Sequence, residues 1–305
     1  MLTRTRLVDV RSASGPLLRL LKAERLDGRL HSLFDRAVNI ESSAGEIFTL
    51  ACRTLDNAPA TMVLDLESFN WAGLALHDRV RGNGRTLLVG SALEIRLGGC
   101  KVWDRGLPAF PRDCTHLPGR LRNAWEVLER DGVGAGMVAR REGGSEFERA
   151  VEIALAQRSS GLLETLAQAD LASARAHAVS MIGLGPGLTP SGDDFLLGLF
   201  AVLNIPASPC QGWLGGGAEV LAEAAHATNA ISLAALNHAA HGHVRELILD
   251  LIDKLLLGPT DDVAASMRRV LAIGSTSGSD IACGLLAGLE LNLKHITSRG
   301  ESLRL

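Results

Sequence analysis

The chain changes character near residue 115, and this change limits the folds that it can adopt. Before that point, short runs of β-branched and aliphatic residues alternate with turn residues, and Leu93–Leu97 alternates apolar and polar side chains as a half-buried strand does. After it, alanine and leucine recur at helical spacing. The sequence therefore predicts an α+β protein. An antiparallel β-rich domain at residues 1–115, a sheet or a small barrel, precedes a mainly α-helical domain at residues 116–305 that carries a glycine-rich turn.

Turn residues divide each part further. Gly82-Asn83-Gly84 and Gly98-Gly99 predict two hairpins. A short helix is expected near residues 15–24, ahead of a sheet at 27–106. In the second part, Leu121–Leu128 has helical spacing, and breaks rich in glycine and proline separate roughly six to eight predicted helices between Phe147 and Leu293. The glycine-rich stretch 132–144 is predicted to be a mobile connection.

Composition excludes several classes of partner. A formal net charge of -3 and an aromatic content of 4% with no tyrosine argue against nucleic acid as a ligand. The strongest apolar run, residues 195–205, is too short to span a bilayer and predicts a buried helix. The first fifteen residues have no long apolar core of the kind found in secretory signals. The five cysteines are widely spread and form no Cys-x-x-Cys pair. We therefore expect a cytoplasmic protein with no membrane or nucleic-acid partner.

The most specific motif is a glycine-rich turn at residues 183–194, which reads Gly-Leu-Gly-Pro-Gly-Leu-Thr-Pro-Ser-Gly-Asp-Asp. Its three alternate glycines can expose consecutive N–H groups to an anion. The helix that follows has free N–H groups at its start, which also favour negative charge. The motif predicts a site for the phosphate or carboxylate of a small-molecule substrate. The residues expected to hold this anion are Gly183, Gly185, Gly187, Thr189 and Gly192.

Two aspartates at the end of the motif complicate this prediction. Asp193 and Asp194 lie in the first helical turn, where they oppose the helix dipole but repel a bare phosphate. A Mg²⁺ ion bound by either carboxylate would remove the conflict, and so would an amide or ammonium group on the substrate. The sequence leaves both open, and the cofactor is otherwise unknown. Together with Ser191, these aspartates are the candidate catalytic residues, and Asp193→Asn is expected to abolish turnover.

A shorter echo of the motif occurs near the C-terminal end. Ser275–Asp280, followed by Gly284, matches Thr189–Asp194, followed by Gly198. One interpretation is that two related helix starts face one site. The alternative is that both segments are capping boxes, which only begin helices. The first interpretation adds the candidate binding residues Ser277, Gly278 and Asp280.

Polar residues between these two segments offer further candidates. Thr228, Asn229 and Ser232 are expected either to line the same cleft as donors or to cap a helix. His238 and His241 share a helix face but form only a weak zinc signal, because two histidines without a paired carboxylate are too few ligands. A polar helix end is the alternative interpretation of the two histidines.

The glycine-rich turn, continued by Leu196 and Gly198, resembles the signature of the AllH family, which includes a subunit of oxamate carbamoyltransferase. The segment from Ile231 to Glu246 and the helix start at Ser277–Asp280 are similar to that family too. The resemblance implies a subunit that acts in allantoin and purine nitrogen catabolism on small carbamoylated, carboxylate or phosphate substrates. It also implies FdrA-like and AllG-like partner subunits, and a homo-oligomer is compatible with it.

The resemblance leaves the role of this chain open among three hypotheses. The first is an enzyme subunit, a carbamoyltransferase that is active only with partner proteins. The second is a non-catalytic regulatory subunit that binds a small anion or a nucleotide. The third is an interaction subunit whose glycine turn is purely structural.

Overall fold

The computed structural model describes residues 5–23, 26–70, 73–139, 145–259 and 261–302. By its internal contacts the chain divides into two compact units, Met1–Arg105 and Gly106–Leu305. The first unit is built mainly of strands and the second of helices, which confirms the predicted α+β class. Of the predicted connection at 132–144, residues 140–144 lie outside the described residues.

The described residues of the first unit form nine strands and one helix. The predicted helix near residues 15–24 is confirmed as α1, Gly15–Ala23, whose buried leucines join the core of this unit. The strands are β1 Arg6–Ser14, β2 Asp27–Leu33, β3 Ala37–Ser42, β4 Ile47–Cys52, β5 Thr61–Leu64, β6 Arg79–Gly82, β7 Thr86–Val89, β8 Leu93–Arg96 and β9 Lys101–Trp103.

The strands close into a barrel because β1 pairs on both of its edges. The order is β5-β4-β3-β2-β6-β7-β8-β1, and β1 also pairs with β5. Most pairings are antiparallel, as predicted, but β1–β8, β1–β9 and β4–β5 are parallel. Alternation of apolar and polar residues does not encode strand direction, so the sequence pattern missed these three pairings.

One of the two predicted hairpins is present. Gly82-Asn83-Gly84 connects the antiparallel strands β6 and β7 as predicted. The prediction for Gly98-Gly99 is wrong, because β8 and β9 do not pair with each other. Both strands run parallel to β1, with Asp9 opposite Arg96 and Ser12 opposite Lys101. The two glycines therefore interrupt strand pairing along β1 rather than reverse the chain.

Alternate residues of the strands fill the barrel. Val38 and Ile40 of β3 are fully buried. Leu93 and Ile95 of β8 are also fully buried, whereas Glu94 and Arg96 of the same strand are more exposed. This period of two gives each strand one apolar face, and closure places those faces in one core.

The second unit contains nine α-helices and two short 3₁₀ helices among the described residues. One α-helix contains the predicted helical stretch Leu121–Leu128, and the other eight agree with the six to eight predicted from Phe147 onward. None of the described helices is both long and apolar enough to cross a bilayer. The α-helices are α2 Leu117–Asp131, α3 Glu146–Ala167, α4 Leu171–Met181, α5 Ser191–Leu203, α6 Ala218–Ala224, α7 Ala230–Ala239, α8 Glu246–Leu256, α9 Asp261–Leu271 and α10 Ser277–Ser302. The 3₁₀ helices are Trp213–Gly217 and Ala225–Ala227.

Local signals start several of these helices. The Ser145 hydroxyl accepts from the Glu148 N–H while the Glu148 carboxylate accepts from the Ser145 N–H, so a capping box begins α3. The Asp170 carboxylate accepts from the Ser173 N–H and begins α4. Both caps satisfy N–H groups that a helix start leaves without intrahelical partners.

Helices α5 and α10 form the centre of the helical unit. Nearly all of α5 is buried, which confirms the predicted buried helix. A Cβ on Gly198 would overlap the carbonyl of Ile281, and a Cβ on Gly284 would overlap the carbonyl of Phe195. The two helices therefore touch backbone to backbone, at equivalent positions of the two echoing segments. Only glycine permits so close an approach.

Candidate functional site

The two echoing segments begin side by side. Thr189 and Ser277 share a hydrogen bond between their hydroxyl oxygens at 2.8 Å. Phe195 lies against Gly284, and Val202 lies against Gly288 further along, so α5 and α10 run in the same direction from adjacent starts. The structure therefore brings the candidates of both segments into one region.

The glycine turn is held in place by its own aspartate. The Gly183 N–H donates to Asp193 Oδ1 at 2.7 Å, and the Thr228 hydroxyl donates to Asp193 Oδ2. The anion at the Gly183 amide is thus the Asp193 carboxylate. That amide and both Asp193 oxygens therefore have partners within the protein, and Asp193 holds the turn in place. The anion-binding role of Gly183 and the catalytic role of Asp193 stay predictions.

Two other predicted anion donors are also engaged within the protein. The Gly192 N–H donates to the Leu184 carbonyl at 2.9 Å, and the Gly278 N–H donates to the Ile273 carbonyl at 2.9 Å. A Cβ on Gly192 or Gly278 would overlap the carbonyl of the preceding helix end, Met181 or Val270. These two glycines therefore serve close packing at the helix starts.

The tip of the turn faces open space. Pro186, Gly187 and Leu188 are exposed, and a Cβ on Gly187 would meet no atom within 4 Å. Gly185 and Gly187 have φ of 127° and 94°, which glycine adopts without strain. Among the described hydrogen bonds, none uses the N–H of Gly185 or Gly187. Of the three alternate glycines of the turn, these two therefore have amides that remain available to an anion.

The polar residues at the start of α7 brace this tip. The Asn229 side chain accepts from the N–H groups of Ile231 and Ser232, so the capping interpretation of Asn229 is confirmed. Its Nδ2 also donates to the Leu188 carbonyl at 2.8 Å, and the Ser232 hydroxyl lies 3.4 Å from the same oxygen. Both residues therefore lie beside the turn, as predicted.

The capping-box alternative fails for the first segment. Pro190 occupies the N-cap position of α5, and no side chain caps this helix. Ser191 is instead the first helical residue, and its hydroxyl lies beside Asp280, where it lowers the pKa of that carboxyl by a hydrogen bond. The equivalent Ser277 hydroxyl does the same for Asp194. Each serine therefore serves the aspartate of the other helix.

Asp194 and Asp280 form a buried pair of carboxyls. Their side chains belong to residues that are 5% and 0% exposed, and the Oδ2 atom of each has no hydrogen-bond partner among the described residues. Burial raises the pKa of Asp194 to about 7, and the charge of Asp280 contributes in the same direction. Burial raises the pKa of Asp280 to about 6. Near neutral pH the pair can therefore hold a proton and release it.

Asp193 differs from this pair in its surroundings. Burial raises its pKa, but the bonds from Thr228 and the Gly183 N–H, and the nearby Ser232 hydroxyl, oppose the rise. Both of its oxygens have donors. Asp194 and Asp280 are consequently the better candidates for chemistry, whereas Asp193 keeps the turn in shape.

Residues 133–138, here called the strap, cover Asp280 from one side. The Val133 N–H donates to the Ser279 hydroxyl at 2.9 Å, and the Met137 N–H donates to Asp280 Oδ1 at 2.6 Å. A Cβ on Gly136 would overlap the Asp280 carboxyl and the Ser191 hydroxyl. The sequence indicated only a connection here. The glycines were a visible signal, but nothing local identified what they contact.

The structure gives no support to a metal site formed by several side chains. No group of three or more His, Cys, Asp and Glu residues in the described part of the chain is arranged to hold an ion. Burial lowers the pKa of His238, and His241 Nδ1 lies 2.7 Å from the Asn237 carbonyl. A Mg²⁺ ion would find its unpartnered carboxylate oxygens on Asp194 and Asp280 rather than on Asp193.

Comparison with known protein families finds one match in the barrel unit and one in the helical unit. Residues 181–289 match the family described as oxamate carbamoyltransferase subunit AllH, and residues 9–102 match the AllH family N-terminal domain. The first match contains both helix starts of the site, and the second contains most of the barrel. No solved structure matches the chain. The matches cover most of the chain, which therefore belongs to the AllH family.

Proposed function

We propose that this chain provides a substrate-binding and proton-transferring site of an oxamate carbamoyltransferase-like enzyme, with the site at the starts of α5 and α10. The observation that carries the proposal is the buried pair Asp194 and Asp280, each with one unpartnered oxygen, beside a turn with two available amides. Family membership supports a subunit role in such an enzyme.

The reaction requires one proton to move to nitrogen. When phosphate attacks the carbamoyl carbon of oxalurate, a C–O bond forms, a C–N bond breaks, and the leaving amide nitrogen needs a proton. Asp194 can donate it, because burial keeps this carboxyl partly protonated near pH 7. Hydrogen phosphate then returns a proton to Asp194, and the products are oxamate and carbamoyl phosphate. In the reverse direction ionised Asp194 accepts the proton from the attacking oxamate nitrogen.

The glycine turn supplies the complementary group. Gly187 lies at the exposed tip of the turn and Gly185 is half-buried two residues before it. Neither amide has a partner among the described hydrogen bonds, so both can bind the phosphate or the carboxylate of the substrate. Thr189 connects this tip to the acid, because its hydroxyl lowers the pKa of Asp194 by a hydrogen bond. A substrate with an anion at one end and a carbamoyl or amide group at the other fits this order of groups.

A purely structural turn is the second candidate. It is favoured by Gly183, Gly192 and Gly278, whose amides are all bound within the protein. In that case the exposed Leu188, whose surface is 54% accessible, would contact a partner subunit. A regulatory subunit that binds a small anion or a nucleotide without catalysis would use the same tip amides.

The remaining parts of the proposal concern the cellular compartment, the partner subunits and the pathway. The five cysteines are all free thiols, which suits the reducing cytoplasm. FdrA-like and AllG-like proteins are the proposed partner subunits, and the pathway proposed is allantoin and purine nitrogen catabolism. The homo-oligomer stays a prediction.

The test combines reconstitution with one substitution. The full chain is purified with its candidate partner subunits, and carbamoyl phosphate formation from oxalurate and phosphate is measured with and without Mg²⁺. We expect Asp194→Asn to lower kcat about 100- to 10,000-fold, the usual contribution of general acid catalysis. Activity should also fall as the pH rises through about 7, because ionised Asp194 has no proton to donate.

The matched control is Asp9→Asn, an exposed carboxylate of the barrel that pairs with Arg96. It should leave kcat unchanged. Full activity of Asp194→Asn would remove the catalytic role. Activity of the partner subunits without this chain would favour the structural or regulatory alternative.

A further inference from the structure

Asp280 accepts a hydrogen bond from a distant part of the chain. Its Oδ1 receives the N–H of Met137, 143 residues away in sequence, although the side chain lies at the start of its own helix. Its Oδ2 has no partner among the described residues, and the residue is 0% exposed. A buried carboxylate with an unused acceptor is costly unless it takes up a proton or a ligand supplies the missing donor.

The strap that supplies this N–H has the features of a displaceable segment. Its bonds to the start of α10 are those of the Val133 and Met137 amides, and Val133 itself is 44% exposed. Ala135 has a φ of 145°, a conformation that non-glycine residues rarely adopt. Gly136 is buried against Asp280, while its neighbours on both sides are half-exposed. A single stretch of backbone therefore covers the carboxyl on this side.

The amide of Met137 has the same chemistry as the proposed substrate. A backbone N–H donates to a carboxylate as the N–H of a primary amide or of a ureido group does. We propose that Asp280 is the residue that recognises the substrate amide, and that the Met137 amide occupies its place until the substrate displaces the strap. This inference rests on the proposed function, and it assigns to Asp280 a role in specificity that is separate from proton transfer by Asp194.

Replacement of the Met137 N–H by the substrate amide as the donor to Asp280 can be measured directly. Hydrogen exchange of the strap is measured by mass spectrometry on the full chain with its partner subunits, with and without saturating oxamate. If oxamate takes Asp280, the Met137 amide loses its acceptor, and displacement of the strap separates the Val133 amide from the Ser279 hydroxyl. Both amides should then exchange at least tenfold faster, while α5 is unchanged or more protected. Oxamate binding with unchanged or slower exchange of the strap overturns the inference and leaves the proposed function standing. Absence of oxamate binding in the assembled enzyme overturns both.

A substitution tests specificity independently. Asp280→Asn keeps an acceptor for Met137 but turns the second oxygen into an N–H donor. We expect about a tenfold to hundredfold loss of affinity for oxamate, which offers N–H groups, and no loss for oxalate, which offers only acceptors. Titration calorimetry with both anions measures this. An equal loss for the two anions would show a structural effect and overturn the inference.

Weakening the strap should have the opposite effect. Gly136→Ala places a methyl group against Asp280 and Ser191, which pushes the strap away. Because the strap then competes less with the substrate, oxamate should bind several-fold more tightly. Gly106→Ala is the control, since a Cβ there meets nothing within 4 Å. Unchanged or weaker binding by Gly136→Ala relative to Gly106→Ala contradicts competition by the strap.

Discussion

The start of α5 and the start of α10 are built alike but are covered differently. Both place a serine, a glycine and an aspartate in the same order, and each aspartate is bonded by the serine of the other helix. The α5 start adds Asp193, which ties the glycine turn to the helix. The α10 start has Ser279 at that position, and its hydroxyl holds the strap. The two helix starts thus have the same arrangement of residues, whereas the segments beside them, the glycine turn and the strap, differ.

This difference separates two roles that the sequence did not separate. Asp194 lies next to the exposed turn and carries the higher pKa, whereas Asp280 lies under the strap. We propose proton transfer for Asp194 and recognition of an amide for Asp280. Three predictions test how far the equivalence of the two starts extends.

The largest expected effect is on the pH dependence of stability. The pKa of Asp194 is raised from 3.8 to about 7. The contribution of this carboxyl to the free energy of unfolding is therefore fully present below pH 4 and is lost as the pH rises toward 7. Each unit of the shift corresponds to about 1.4 kcal/mol, so a few kcal/mol are at stake. The difference in unfolding free energy between Asp194→Asn and the natural chain should therefore grow in favour of the variant between pH 4 and pH 7.

Asp280→Asn is the comparison in the same denaturation series. Its effect should be smaller, and it should level off nearer pH 6, because the Met137 N–H already stabilises the ionised form. Subtracting the unfolding free energy of the natural chain from that of the variant cancels the contribution of the exposed carboxylates that both proteins share. Asp131, which two arginines keep ionised, is one of them. A larger effect for Asp280 than for Asp194 would reverse the proposed order.

The second prediction concerns the contact between the helices. Gly198→Ala and Gly284→Ala should each lower the unfolding free energy by about 2 to 3 kcal/mol, because the added methyl overlaps a main-chain carbonyl of the other helix. Urea denaturation measures both. The double variant should cost less than the sum, because the first methyl already separates the helices.

Gly119→Ala provides the control for these variants. This glycine lies in α2, and a Cβ there meets nothing within 4 Å, so stability should be unchanged or slightly raised. The equivalence of the two starts predicts similar losses for Gly198 and Gly284. A loss at only one of them would show that the contact is one-sided.

The smallest expected effect is specific to the α5 start. Asn229→Ala removes the cap of α7 and the bond to the Leu188 carbonyl, and should cost about 1 kcal/mol. Asp170→Ala removes the cap of α4 at a similar cost without touching the turn. Only Asn229→Ala should raise KM for the substrate anion, since it alone frees the turn. Equal KM values in the two variants would separate Asn229 from the site.

The sequence predicted what local patterns encode. The glycine turn, the buried helix after it, the echo at Ser275–Asp280 and the hairpin at Gly82-Asn83-Gly84 all depend on residues within a short window. The echo allowed two interpretations, and it is the fold that brings the two helix starts together.

What the sequence left open depends on distant contacts. The Gly183 amide was a candidate anion donor until the fold placed the Asp193 carboxylate on it, and such a bond cannot be inferred from composition. The strap reaches Asp280 across 143 residues. The parallel pairing of β1 with β8 joins residues 87 apart, such as Asp9 and Arg96, and alternation in each strand is silent on it.

The closure of the barrel by β1 has a consequence for how the chain is made. The ribosome synthesises β1 before the other strands of the barrel, whereas its partners β5 and β8 begin only at residues 61 and 93. The nascent first strand therefore waits for most of the barrel to emerge before either edge is paired. A truncated chain that begins after residue 14 would leave β5 and β8 with bare edges, which are templates for aggregation.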